Sequence, residues 1–394
     1  MKYFLLAAML CVANVAQASD PMDYWDHQRR GANGDGADAT DEWFNDASQQ
    51  GIEFMRLQVT EMTPVGRDFL IGDADDWNGI PEQDMDRLRK VLDRAAKHDV
   101  QIVLSMFSVP GCRTRQKNDG QFDYRLWHDQ KYQDQAIEFW TKLATELKDH
   151  PAIVGYNILN EPAPEREHEH ERPTAEFMQW RQQIAGTVAD LNHFYRNAVT
   201  AIRSVDSKTP IVLDCCFHAH PEGMTSMERI DAPNLLYSFH FYEPWNYTTF
   251  RINQGRFHYP DRMPVGWTGE TVRWERDEFE SRMNAVTRWA TEHDVPANRI
   301  LVGEVGCNRR VGGAHQYLSD TLDAIENQGW HWAFYSFRSG TWDGMDYELG
   351  TEPLGEGYWE SREAGQSHDS LVHRHPNPLW NMLSGRLKAS NSKQ

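Results

Sequence analysis

Eight short apolar runs alternate with stretches of helical spacing along the 394 residues, and that order leaves few folds open. The runs are 29–33, 51–59, 100–106, 153–159, 210–214, 235–242, 299–305 and 330–337. Helical periodicity falls at 41–50, 84–98, 132–148, 174–205, 277–293 and 313–327, and 378–387 reads as a closing helix. Crossovers between parallel strands are right-handed by rule, so eight such units predict a closed (β/α)8 TIM barrel. A doubly wound open sheet is the competing architecture, but it calls for a phosphate-binding glycine loop. Gly31, Gly34 and Gly36 have the wrong spacing for one, and no helix opens on them. No linker or internal repeat divides the chain, so residues 19–388 are read as one barrel domain and 389–394 as a polar tail.

The fourth run ends in Asn160-Glu161-Pro162. Proline cannot continue a sheet ladder, which leaves the two polar residues at the C-terminal tip of the strand. In a parallel barrel that tip belongs to the face that carries chemistry. The seventh run repeats the arrangement and leads into Glu304. Two carboxylates on two strand tips are the candidate catalytic pair. Long segments at 107–130, 161–173, 243–276 and 338–370 follow strand tips as well, which predicts a walled cleft above the barrel.

Side-chain alternation sorts the faces. On the sixth run Ser238, His240 and Tyr242 share one face, expected to be the lumen, and Tyr237, Phe239 and Phe241 share the other. On the second run Phe54, Arg56 and Gln58 oppose Met55, Leu57 and Val59. An arginine on an otherwise apolar strand needs a buried anion, and Glu161 and Glu304 are the candidates.

A formal net charge of −19 argues against nucleic acid and anionic membranes and for a neutral or cationic ligand. The chain carries 15 Trp, 14 Tyr and 17 Phe, whose faces suit the apolar C–H faces of sugar rings. Residues 1–18 have the pattern of a cleavable signal peptide: Lys2, a short apolar run, then Ala16-Gln17-Ala18. That implies a secreted or periplasmic protein with no membrane anchor, expected to be a monomer. Export permits disulfides among Cys112, Cys215, Cys216 and Cys307, without fixing a pairing. Cys112 and Cys307 both follow strand tips, so a bridge between their loops is one expectation. No Cys-x-x-Cys spacing occurs, and no metal is expected.

The motifs together resemble glycoside hydrolase family 5, the cellulase-like branch of the retaining barrel glycosidases. They are Arg30-Gly31-Ala32-Asn33, Arg56, Asn160-Glu161-Pro162, His240-Phe241-Tyr242, Gly303-Glu304, and the run from Trp332 to Arg338. The resemblance implies that Glu161 is the general acid/base and Glu304 the nucleophile. It implies that Asn160 bonds the sugar 2-hydroxyl, that Arg56 and Tyr242 keep Glu304 ionised and oriented, and that His240 bonds near Glu161 or the leaving group. The Glu304 charge should then raise the pKa of Glu161. No cofactor is required, and the implied substrate is a β-linked poly- or oligosaccharide of glucan or mannan type. Two positions depart from the family pattern. Phe107 stands where a sugar-binding histidine is usual, and Tyr335 where a tryptophan platform is usual.

Two further segments invite a role. The run Glu165-Arg166-Glu167-His168-Glu169-His170-Glu171-Arg172 lacks the second histidine of a zinc-protease motif and reads as a solvated charged loop. The loop from Trp342 to Glu348 follows a strand tip, and Trp342 is a candidate substrate contact. The same residues also admit a barrel that binds carbohydrate without catalysis, and a transglycosylase in which a sugar replaces water.

Overall fold

A computed structural model describes residues 21–36, 39–59, 68–265, 270–340 and 343–391. Its centre is a closed barrel of eight parallel strands in which each strand pairs with its neighbours in sequence. The strands are β1 Arg30–Asp35, β2 Phe54–Gln58, β3 Gln101–Ser105, β4 Ile153–Asn157, β5 Ile211–Asp214, β6 Leu235–Phe241, β7 Ile300–Val305 and β8 His331–Phe334. Each predicted run overlaps one of them, the first strand running two residues further than expected, so the expected (β/α)8 barrel is the observed fold. The leader at 1–18 and Trp342 lie outside the described residues. No helix among the described residues is long and apolar enough to cross a membrane.

The alternation of faces follows the sequence. Tyr237, Phe239 and Phe241 join Met55, Leu57 and Val59 in the shell between barrel and helices. A second cluster fills the lower lumen with Phe54, Val103, Val154, Val212, Leu236, Leu301 and Ala333. Strand β1 contributes Gly31 at this level, because a Cβ there would stand 2.6 Å from the Phe54 ring. Met22 and Trp25, on the turn Pro21–Asp26, close the N-terminal end of the lumen. The Trp25 indole donates to the Val154 carbonyl at 2.9 Å. Nothing in the periodicity announced that plug.

The stretch expected as one helix over 174–205 is two helices, Ala175–Ile184 and Leu191–Val205. Gly186 takes a left-handed φ of 73°, and Asp190 accepts from both the Gly186 and Asn192 amides at 2.9 Å. Aspartate as N-cap outcompetes helix continuation at that point. The closing helix runs Pro378–Asn391, so the expected tail begins inside it. An antiparallel pair, Asp261–Pro264 with Thr271–Trp274, decorates the segment after β6. The four cysteines among the described residues are free. Cys307 is enclosed in the outer core, Cys112 sits at the cleft wall, and the expected bridge between their loops is absent. Burial pushes the Cys112 thiol up to about 12.

Candidate active site

A cleft of about 1790 Å³ opens above the C-terminal ends of the strands. The expected long segments wall it, and Phe107, Asn160, Glu161, His240, Tyr242, Glu304 and Tyr335 all line it. The loop after β5 and one face of the helix Arg276–Glu292 complete the wall, a contribution that loop length did not reveal.

At the floor of the cleft the lumen turns polar. Arg56 is fully buried and serves as its hub. Nη1 donates to Glu304 Oε1 at 2.7 Å and to Asn33 Oδ1 at 3.0 Å. Nη2 donates to Asn160 Oδ1 at 2.6 Å, to Asn157 Oδ1 at 2.7 Å and to Asp214 Oδ2 at 3.2 Å. Such density of partners is what a buried guanidinium requires. Glu304 thus supplies the expected anion, and Asp214 supplies a second that the sequence reading did not name.

Glu304 is held at both oxygens, since the Tyr242 hydroxyl donates to Oε2 at 2.7 Å. Its place depends on a local irregularity. The β6–β7 pairing shifts register between Phe239 and His240, which sets His240 opposite Glu304. Gly303 permits the close approach, because a Cβ there would lie 2.8 Å from Ser238 Oγ and 3.0 Å from His240 Nε2.

Glu161 sits just past β4 with a left-handed φ of 50°, a conformation few non-glycine residues adopt. Its Oε1 lies 2.8 Å from His240 Nδ1. One ligand atom from each of Glu161, His240 and Glu304 lies within 4.8 Å of the others. Both Glu304 oxygens in that cluster already accept hydrogen bonds, from Arg56 and Tyr242.

The two carboxyls are environmentally distinct. Burial pushes Glu161 up to about 7, and the Asp214 charge acts in the same direction while His218 and Arg56 oppose it. The side chain keeps 31 % of its surface open to the cleft, yet the depth of the cleft surrounds the carboxyl with protein. Burial also raises Glu304, against the pull of His240, Arg56 and the Tyr242 hydroxyl. The charge of Glu304 was the expected cause of the elevation of Glu161; burial is the largest.

Phe107 lies with its ring centroid 5.7 Å from the Arg56 guanidinium carbon, a cation–π contact where the resemblance led to a histidine. Tyr335 is 6 % exposed at the cleft floor. Phe217, His218 and Ala219 are three consecutive left-handed residues on the loop after β5. They carry His218 to the Glu161 side of the cleft, where its ring lies 5.9 Å from that of Phe122. The charged segment before them is not wholly solvated. Glu165 is fully buried, and its Oε1 accepts from the Phe217 amide at 2.8 Å, bracing that loop.

A family model described as Cellulase (glycosyl hydrolase family 5) matches residues 19–340. The chain belongs to glycosyl hydrolase family 5. Endoglucanase C of Acetivibrio thermocellus is 22% identical over 205 residues, 51% of this chain and 49% of that protein. A beta-xylosidase of Phanerodontia chrysosporium is 35% identical over 77 residues, 19% of this chain and 16% of that one. The chain therefore spans half or less of the length of these curated relatives. Among solved structures, an endoglucanase is 19% identical with a TM-score of 0.61, over 93% of this chain and 99% of its own. The endoglucanase of Thermotoga maritima gives 16% identity and a TM-score of 0.61, over 93% and 100% of the two chains. At such identities the likeness is one of fold. The family 5 barrel here adds Asp214, Asn157 and His218 to the residues legible in the sequence.

Proposed function

We propose that this family 5 protein is a retaining β-glycosidase in which Glu304 is the nucleophile and Glu161 the acid/base. The observation that carries it is the unequal treatment of two close carboxyls. Glu304 accepts charge-assisted and hydroxyl hydrogen bonds at both oxygens, whereas Glu161 faces a histidine and an open cleft. Carboxyl groups about 5–5.5 Å apart suit direct attack, and inverting enzymes need about 6.5–9.5 Å. The 4.8 Å limit on the oxygens of this pair supports the retaining geometry.

In the first step Glu304 attacks the anomeric carbon while the Glu161 proton passes to the departing glycosidic oxygen. The product is a glycosyl ester of Glu304 and a free hydroxyl on the leaving group. Esterification removes one negative charge, and Glu161, now ionised, takes a proton from water as that water attacks the same carbon. Proton donation requires protonated Glu161, so kcat/KM should fall as pH rises through about 7. Asn160 offers its amide beside the reacting sugar, its carbonyl oxygen being held by Arg56.

For the substrate we propose a β-linked glucan or mannan. Relatives are named endoglucanases, and the Thermotoga enzyme has been crystallised with cellobiose and with mannotriose. The cleft adds aromatic surface at Phe122, 39% exposed, and Trp245, 40% exposed. Phe107 and Tyr335 change the contacts to the reacting sugar and leave both carboxyl residues in place. Export through the leader at 1–18 and a monomeric state accompany this reading.

The test is hydrolysis of a β-glycan panel by Glu304→Gln and Glu161→Gln. Each is expected to lose activity by about four orders of magnitude or more on unactivated substrates. Unchanged hydrolysis by either removes the mechanism. Saccharide binding by the unaltered protein without turnover of any β-glycan would favour the non-catalytic barrel instead.

A further inference from the structure

Asp214 ends β5 and is fully buried. Its Oδ1 accepts from Asn157 Nδ2 at 3.2 Å. Its Oδ2 accepts from Arg56 Nη2 at 3.2 Å and from the backbone N–H of Glu161 at 3.3 Å. The same oxygen lies 3.5 Å from Nε2 of His240, an enclosed nitrogen with no hydrogen bond of its own. On the other side of that ring, Nδ1 lies 2.8 Å from Glu161 Oε1 and 3.7 Å from Glu304 Oε2. Asp214 therefore reaches Glu161 by two routes, through its peptide and through the imidazole, while touching the guanidinium that holds the nucleophile. A buried carboxylate with four such neighbours does more than fill space, because a neutral residue would avoid the desolvation its charge incurs.

We propose that Asp214 is a positioning residue for the acid/base: its carboxylate fixes the left-handed Glu161 peptide and the His240 ring, and its charge keeps the proton on Glu161 until the leaving oxygen takes it. The charge count explains the second part. Arg56 from β2 faces two carboxylates, Glu304 from β7 and Asp214 from β5, so the buried cluster is already one negative charge in excess. A second excess charge on Glu161 is opposed until Glu304 is esterified. His240 from β6, Tyr242 just past it and His218 from the loop after β5 are the other titratable groups facing Glu161. Burial lowers the His240 pKa, against the opposing charges of Glu304 and Asp214.

This inference rests on the assignment of Glu161 as acid/base, and its test separates the two. The pH profile of kcat/KM is measured on a phenyl β-glycoside, whose leaving group needs a proton, and on a dinitrophenyl one, whose leaving group does not. Asp214→Asn should move the alkaline limb to lower pH by roughly half a unit or more. It should also lose more activity on the phenyl than on the dinitrophenyl substrate. An unmoved limb, or equal loss on both substrates, overturns the role of Asp214. Asp214→Glu keeps the charge on a longer arm and carries the test should the asparagine variant not fold. It too should lose more on the phenyl substrate, and equal loss overturns the role. Glu161→Ala is the control for the underlying assignment: it should retain glycosylation by the dinitrophenyl substrate and lose the phenyl one. If that control fails, the acid/base assignment falls. If it holds and the Asp214 variants fail, only the present inference falls.

Discussion

Along the same strands, the barrel lumen holds Phe54, Val103, Val212 and Leu301 near the N-terminal end and Arg56, Ser105, Asp214 and Glu304 near the tips. Both levels are buried and built from the same parallel strands, yet they obey different rules. The lower level requires only volume, since its members contact one another and the Trp25 plug. The upper level requires matched partners, because each buried charge or amide must find a donor or acceptor. The difference shows how one barrel carries a stable floor and a reactive ceiling a residue pair apart.

The strongest way to break that contrast is to remove the hub. Arg56→Met leaves Glu304 and Asp214 buried beside each other without a cation. Stranding a buried partner costs about 3–5 kcal/mol, so denaturant melts should show a loss of that size together with loss of hydrolysis. A stable and active variant would mean that the upper level is hydrated rather than internally matched. Next comes the floor. Leu301→Ala removes a fully buried side chain and should destabilise by about 2–5 kcal/mol. The same variant should leave the shape of the pH–rate profile alone, and a shifted alkaline limb would show that the two levels are coupled. Tyr242→Phe deletes one hydrogen bond to a carboxylate. It should cost about 1.5–3 kcal/mol of transition-state stabilisation, read as a drop in kcat/KM.

The floor was legible in the sequence because its signal is periodic. Alternation put Phe54 and Arg56 on one face and Met55 and Leu57 on the other, and the structure keeps both assignments. Glu161 and Glu304 were legible because a proline or a glycine punctuates each strand at its tip. Asp214 carried no such mark. Its strand is four residues long, and what reveals the aspartate is Arg56, 158 positions away, at 3.2 Å. Asn157 was accessible in principle, lying on the strand that leads to Glu161, but its partner Arg56 is equally remote in sequence. His218 was beyond reach, because three successive left-handed residues follow no propensity rule. Trp25 was missed because a short 3-10 turn has no repeat to detect. Local pattern thus carried the scaffold, and pairing between distant strands carried the site.

The smallest expected effect concerns a carboxyl that borrows neither solution. Glu165 is buried like the floor residues but polar like the ceiling, and among the described residues no cation stands at hydrogen-bond distance from it. One oxygen accepts from the Phe217 amide and the other is enclosed without a partner. Burial drives the carboxyl up to about 8, so it is a neutral acid over most of the working range. A folded-state value raised above the unfolded one gives stability that is complete below about 4.5 and lost as pH rises to about 8. Glu161 acts in the same direction over a narrower window, to about 7. Glu165→Gln has no proton to lose and keeps an acceptor for Phe217. Its melting temperature should therefore fall less steeply than that of the unaltered protein between those limits, and exceed it at pH above about 8. Equal slopes would mean that Glu165 ionises freely, and that something other than a neutral acid holds the loop carrying His218 against the cleft.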